Sequence, residues 1–190
     1  GYEIEFNTVK ADSRQVYIDV FPMGIDYEKF NIKALEIQSQ GENEHSKIHQ
    51  DLELLKVKTP DMKLILSIDR LDYTKGIPAR IHAFHKFLTD HPEYHEKVSL
   101  IMLIVPSREH VKQYKNLHKE INKLIGNLNG EFGSINWTPI LYFYRSIPFD
   151  DLVDLYCSAD VALLTPLRDG MNLVAKEFIA THLFPKTEMI

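Results

Sequence analysis

Hydrophobic positions along this chain change period several times, and each change marks an element. Glu3 to Val9 and Val16 to Phe21 alternate apolar and polar residues around polar Asp12-Ser13, which predicts a hairpin. FPMGID, from Phe21 to Asp26, reads as a strand end with a glycine-containing turn. Residues 31 to 44 are polar, with a loop expected at Gln38-Ser39-Gln40-Gly41. From Ser46 to Lys56, Ile48, Leu52 and Leu55 recur at helical spacing.

After Pro60 the pattern becomes regular. Lys63 to Ile68 is a continuous apolar strand, followed by the polar loop DRLDYTKG. Pro78 then opens a helix, because its fixed φ and missing N–H suit a first turn, and Ile81, Phe84 and Leu88 form the buried stripe. A second strand, Val98 to Val105, precedes a helix expected from about Glu109 to Ile125. Its stripe is Val111, Tyr114, Leu117, Ile121 and Leu124, with Gly126 as C-cap. Ile140 to Tyr144 leads to a helix opened by Pro148, and Val161 to Leu164 leads through RDGMN to a helix carrying Lys176 and Glu177. Strands that are apolar throughout are buried on both faces, as in a helix-covered parallel sheet. The fold class that follows is α/β, a doubly wound parallel Rossmann-like sheet.

Composition narrows the function. The chain has 190 residues, 44% of them hydrophobic, and a formal charge of -5, which lacks the footprint of a nucleic-acid binder. Its longest apolar run, Leu100 to Val105, is far short of the roughly 20 residues a membrane span needs. The opening GYEIEFNTVK has acids where a signal peptide would be basic. One cysteine, Cys157, makes no internal disulfide and is expected as buried packing; a reducing cytoplasm is the expected compartment. Asn136-Trp137-Thr138 is a glycosylation sequon that matters only in a secreted protein, and Trp137 is expected in the core or at a strand edge.

Ligands of open parallel sheets bind beyond the carboxyl ends of the strands, so charges there carry the most weight. Arg70 and Lys75 share the loop before a helix N-terminus, which suits a diphosphate; a loop neutralised by Asp69 and Asp72 fits the same pattern. Arg108 follows the second strand, either as a bidentate phosphate ligand or as an exposed first-turn arginine. The fourth strand ends in TPLRDGMNL, where Gly170 lets the backbone approach a ligand. Asp169 and Glu177 are about two turns apart. They suit sugar hydroxyls, or equally a helix-dipole aspartate and an exposed glutamate. No G-x-G-x-x-G follows a strand, no Walker A or H-E-x-x-H motif is present, and no Ser–His–acid or Cys–His arrangement is signalled. The pairs His82 and His85, and His91 and His95, lack partners for a metal site and are expected as surface or half-buried histidines.

Taken together, DRLDYTKGIPARIHAFHKFL, VPSREHVKQY and ADVALLTPLRDGMNLVAKEF closely resemble the trehalose-6-phosphate synthase family, and FPMGID is similar to an upstream segment of that family. The resemblance covers residues 1 to 181. It implies a retaining glycosyltransferase of the two-Rossmann-domain (GT-B) type. Such an enzyme moves glucose from UDP-glucose to glucose 6-phosphate, giving trehalose 6-phosphate without cofactor or essential metal. By the same resemblance Arg70 and Lys75 would grip the UDP diphosphate and stabilise the leaving group. Asp169 would contact the donor glucose, and the backbone of Gly170, Met171, Asn172, Leu173 and Val174 the sugar and diphosphate. Glu177 would bind the uridine ribose, the Ile147 backbone the uracil, and Arg108 the acceptor phosphate.

The resemblance also implies an organisation. Residues 1–30 would be the tail of a preceding Rossmann domain with its linker, and 31–190 the donor-binding domain. After Ala180, THLFPKTEMI lacks the family's next strand and its returning helix. The expectation is a fragment inactive as a synthase by itself, whose partners are UDP-glucose, glucose 6-phosphate and the missing domain, with no nucleic acid or membrane. The oligomeric state stays open; an exposed former interface would allow an oligomer. Two other functions fit the same residues: a GT-B transferase with another acceptor, such as a glucosylglycerol-phosphate synthase, and a non-catalytic nucleotide-sugar-binding or regulatory domain.

Overall fold

A computed structural model describes residues 2–11, 13–39 and 46–182. Strands β1 (Tyr2–Glu5), β2 (Thr8–Ala11) and β3 (Arg14–Tyr17) form an antiparallel meander, with Glu5 opposite Thr8 and Thr8 opposite Tyr17. The expected two-strand hairpin is therefore corrected to three strands. The first arm breaks at Phe6-Asn7, where Phe6 is fully exposed and takes a positive φ of 49°.

A second sheet carries the molecule. Strands β4 (Lys63–Arg70), β5 (Val98–Val105), β6 (Ile140–Tyr144) and β7 (Val161–Ala162) run parallel in the order β6-β5-β4-β7. Registers such as Arg70 opposite Val105 and Leu103 opposite Phe143 bring the carboxyl ends of β4, β5 and β6 to one edge. In β5, Leu100 to Ile104 are all 1% exposed or less, as a strand covered on both faces requires.

Helices α1 (Tyr27–Ser39), α2 (Lys47–Lys58), α5 (Phe149–Ser158) and α6 (Leu173–Thr181) pack on one another, and α3 (Ile77–Asp90) packs on α4 (Lys112–Phe132). Right-handed crossovers put the two groups on opposite faces, since α3 and α4 step the chain from β4 to β6 and α5 returns it past β4 to β7. The direction of winding thus reverses between β4 and β7, which makes their carboxyl ends the switch point of the sheet.

Three expectations about elements are corrected. The polar stretch from residue 31 is helix α1 as far as Ser39, because Phe30, Ala34 and Ile37 recur at helical spacing and are buried. The remainder of the expected loop, Gln40-Gly41, lies outside the described residues. Helix α4 starts at Lys112 and runs through Gly126 and Gly130 to a cap at Gly133. Its buried face continues through Ile125 and Leu128, and that burial outweighs the roughly 1 kcal/mol cost of each internal glycine. Val111 precedes the helix and is exposed, and Leu124 is only half-buried. Strand β7 stops at Ala162, although the Leu163 N–H still donates to Leu66 O at 2.7 Å. The sequence after His182 lies outside the described residues. No described helix is long and apolar enough to cross a membrane.

Candidate functional site

Two loops meet at the switch point. The first leaves β4 at Asp69-Arg70, makes one tight turn over Tyr73–Lys75 and enters α3 through Gly76. The second leaves β7 and enters α6 at Asn172. Thr74 O accepts the N–H groups of Leu167 and Arg168 at 2.9 and 3.2 Å, which fastens the loops together. Gly76 must be glycine: its φ is +65°, and a Cβ there would sit 2.8 Å from Thr165 O.

Between the loops lies a cavity of about 250 Å³ lined by Asp69, Arg70, Lys75, Asp169, Met171, Asn172, Leu173 and Val174. Seven of these eight residues carry roles in the resemblance; Asp69 is the exception. Lys75 Nζ meets an Asp169 oxygen at 2.5 Å, with the two side chains 20% and 16% exposed. That lysine, with help from the Met171 N–H and Asn172, holds the Asp169 carboxyl below the ordinary aspartate value. Asp169 does not cap α6. Asn172 does, its Oδ1 accepting from Ala175 N at 3.0 Å, while Asp169 stands ahead of the helix and accepts from the Met171 N–H at 3.3 Å. Arg70 is the more exposed cation, its side chain 58% exposed and 3.7 Å from Asp72.

The remaining expected residues are not in the lining of this cavity. Gly170 is exposed between its neighbours, with nothing within 4 Å of where a Cβ would be. Glu177, half-buried on the second turn of α6, accepts from the Tyr156 hydroxyl at 2.6 Å. Burial, and then that carboxylate, push the Tyr156 phenol far above its ordinary value. Ile147 lines a larger groove of about 500 Å³ between α2, β6 and the start of α5, walled mainly by Ile48, Leu52, Leu55, Leu141 and Phe143. That groove shares no residue with the switch-point cavity. Its cations are Lys47, which pairs with Asp51, and Arg145, which lies over the Phe143 ring. The groove lies off the point where the winding reverses, so the smaller cavity is the candidate site. Arg108 stands beyond β5 and donates to the Tyr114 hydroxyl at 2.8 Å.

Several organising residues escaped the sequence reading. Arg80 is 2% exposed and donates to Asp69 at 2.6 Å, Ser67 at 2.5 Å, Thr165 Oγ1 at 3.0 Å and Lys75 O at 3.2 Å. It joins β4, the first loop and the second loop. Burial pushes the Asp69 carboxyl up, against the pull of Arg80 and Lys75. Its signal was available: Arg80 occupies the same helical stripe as Ile77, Ile81, Phe84 and Leu88. Tyr156 also escaped, and only the three-dimensional packing shows what it holds. Of the neutralised-loop alternative, Asp72 does face Arg70, whereas Lys75 pairs with Asp169 from the other loop.

Elsewhere, Trp137 is buried and donates to Val98 O at 2.8 Å. The Cys157 thiol is half-buried, and burial with the nearby Asp154 charge pushes its pKa up to about 11. His85 is half-exposed and pairs with Glu131 at 2.9 Å. Among the described residues no group of three His, Cys, Asp or Glu side chains is placed to hold a metal ion.

The family model for glycosyltransferase family 20 matches residues 1–190. The chain is 44% identical to the α,α-trehalose-phosphate synthase [UDP-forming] of Candida albicans, over 92% of this chain and 34% of that protein. Trehalose-6-phosphate synthase of E. coli bound with UDP-2-fluoro glucose has a similar structure, with a TM-score of 0.84 and 30% identity, over 95% of this chain and 38% of that one. An α,α-trehalose-phosphate synthase (UDP-forming) from Burkholderia xenovorans in complex with glucose-6-phosphate gives a TM-score of 0.80 and 32% identity, over 92% and 36%. The chain thus spans about a third of the length of these relatives.

Proposed function

The chain belongs to glycosyltransferase family 20, and on that premise we propose that it is the donor-binding half of a cytoplasmic UDP-forming trehalose-phosphate synthase. UDP-glucose is the donor, glucose 6-phosphate the acceptor, and trehalose 6-phosphate and UDP the products. The observation that carries this reading is the switch-point cavity, where Arg70, Lys75, Asp169 and the start of α6 converge.

In this reading the diphosphate takes Arg70, Lys75 and the free N–H groups at the helix starts as its counter-charges. The acceptor hydroxyl oxygen bonds to the anomeric carbon on the face from which the carbon–diphosphate bond breaks. UDP leaves with the bonding electron pair, and its phosphate takes the hydroxyl proton. The two cations stabilise the charge that develops on the leaving oxygen, so no side-chain nucleophile, metal or cofactor enters the scheme. Asp169 changes partner on binding, from Lys75 to the glucose hydroxyls, and so releases the lysine to the diphosphate. Glu177, steadied by Tyr156, takes the ribose, Ile147 the uracil and Arg108 the acceptor phosphate. Acceptor and donor react when the preceding domain brings them together, so residues 1–30 act as the junction to it.

The test is a pair of calorimetric titrations of Asp169→Ala against the unchanged chain. The variant should bind UDP-glucose about tenfold more weakly while binding UDP at least as tightly, because its lysine is already free. Equal loss for both ligands, or none for either, would overturn the assignment of Asp169 to the sugar.

A further inference from the structure

Two arginines, one from each of two neighbouring strand ends, are linked to a single buried carboxylate, Arg70 directly and Arg108 through the Tyr114 hydroxyl. Asp72 follows β4 and is 7% exposed. One of its oxygens accepts from the Thr74 N–H and hydroxyl at 2.9 and 2.8 Å. The other lies 3.7 Å from Arg70 and accepts from the Tyr114 hydroxyl at 3.3 Å. That hydroxyl in turn accepts the Arg108 guanidinium at 2.8 Å, and the Arg108 carbon Cζ sits 5.5 Å from the centre of the Tyr114 ring. The Tyr114 ring also meets Tyr73 edge-on at 5.9 Å, and Leu71 N donates to Val105 O at 2.8 Å, which joins the two loops at their base.

Arg108 itself holds a positive φ of 49°, a conformation that costs a non-glycine residue free energy and persists only where its surroundings impose it. A buried tyrosine needs one hydrogen-bond partner, and Asp72 supplies it. The second bond, to a charged side chain on a strained backbone, serves Arg108. Burial pushes the Asp72 carboxyl up, but its bonds from Thr74 and Tyr114 and the Arg70 charge outweigh this and keep it below its ordinary value. The relay therefore stays anionic at neutral pH.

We propose that Tyr114 and Asp72 are positioning residues: they fix the Arg108 guanidinium beyond β5 for a phosphate monoester and tie its place to that of Arg70. This rests on the reading of Arg108 under the proposed function. An anion that draws Arg70 away from Asp72 leaves the carboxylate more fully to Tyr114, which tightens the hold on Arg108. The donor side thereby prepares the acceptor side.

The test has a spectroscopic arm and a kinetic arm, each with Tyr114→Phe and, as a second variant, Asp72→Asn. In the 190-residue chain, the Nε order parameter of Arg108 should fall from about 0.8 to below about 0.6 in Tyr114→Phe, with the melting curve retained. An unchanged order parameter in both variants would overturn the relay. In the full-length synthase that contains this chain on the proposed function, Tyr114→Phe should raise the KM for glucose 6-phosphate about fivefold or more, with the KM for UDP-glucose within about twofold. It should add nothing further in an Arg108→Ala background. If Arg108→Ala raises the acceptor KM and neither variant does, the positioning role is overturned. If Arg108→Ala leaves that KM unchanged, the phosphate reading of Arg108 fails instead, and the relay loses its purpose.

Discussion

Arg80 and Asp69 meet at 2.6 Å with side chains 1% and 4% exposed, one turn into α3 and at the last residue but one of β4. Neither charge reaches water, and the guanidinium spends its other donors on Ser67, Thr165 and the Lys75 carbonyl. A pair so placed fixes the carbonyl behind Lys75, and so the direction from which Lys75 enters the cavity.

Removing one member of such a pair strands the other. Arg80→Met should cost about 3–5 kcal/mol, a drop of roughly 10 °C in Tm, because Asp69 is left buried beside a thioether. Arg80→Met combined with Asp69→Leu should recover much of that loss, which differential scanning calorimetry reads directly. UDP affinity should stay low in the double variant, since the Lys75 carbonyl remains unheld.

Glycines at three positions should respond with opposite signs. Gly76→Ala should destabilise by about 2–3 kcal/mol, from its left-handed φ and the close Thr165 carbonyl. Gly126→Ala and Gly130→Ala should each stabilise by about 0.5–1 kcal/mol, as both lie inside α4 with open space where a Cβ would go. Urea unfolding of the three variants checks the signs.

Acid should loosen α2 from α5 before the sheet opens. Asp154 accepts from Ser46 N at 2.8 Å and pairs with His49 at 3.2 Å. Burial pushes its carboxyl up, yet His49 and Ser46 outweigh burial and lower the pKa from 3.8 to about 2. A carboxylate depressed in the folded state stabilises fully above its unfolded value and stops doing so as pH falls through the folded one. Stability should therefore fall between pH 3.8 and about 2, and the fall should be shallower in Asp154→Asn, measured as unfolding free energy against pH.

Much of this was legible in the sequence, for reasons particular residues explain. Strands β5 and β6 occupy the expected residues because unbroken apolar runs between polar loops leave no competing pattern. Of the expected donor residues, Arg70, Lys75, Asp169, Met171, Asn172, Leu173 and Val174 line one cavity because strand ends and helix starts must converge at a switch point. Helix α1 was hidden because its buried Phe30, Ala34 and Ile37 are interleaved with exposed Ile32 and Leu35, which blurs the helical period. Gly126 looked like a helix end because a local rule says so, whereas tertiary burial of Ile125 and Leu128 carries the helix past it. Tyr114 was legible as core, but its hydroxyl's partners come from Arg108 and Asp72, in two loops whose approach no linear pattern encodes.

The central claim is that the switch-point cavity receives a nucleotide diphosphate on Arg70 and Lys75. Calorimetric titration of the chain with UDP, beside the Lys75→Ala variant, tests it most directly. Loss of one charge-assisted contact should weaken binding by about 10- to 100-fold while the Tm stays within a few degrees. Equal affinity in the two proteins, with both folded by circular dichroism, would contradict the assignment of the diphosphate to this cavity.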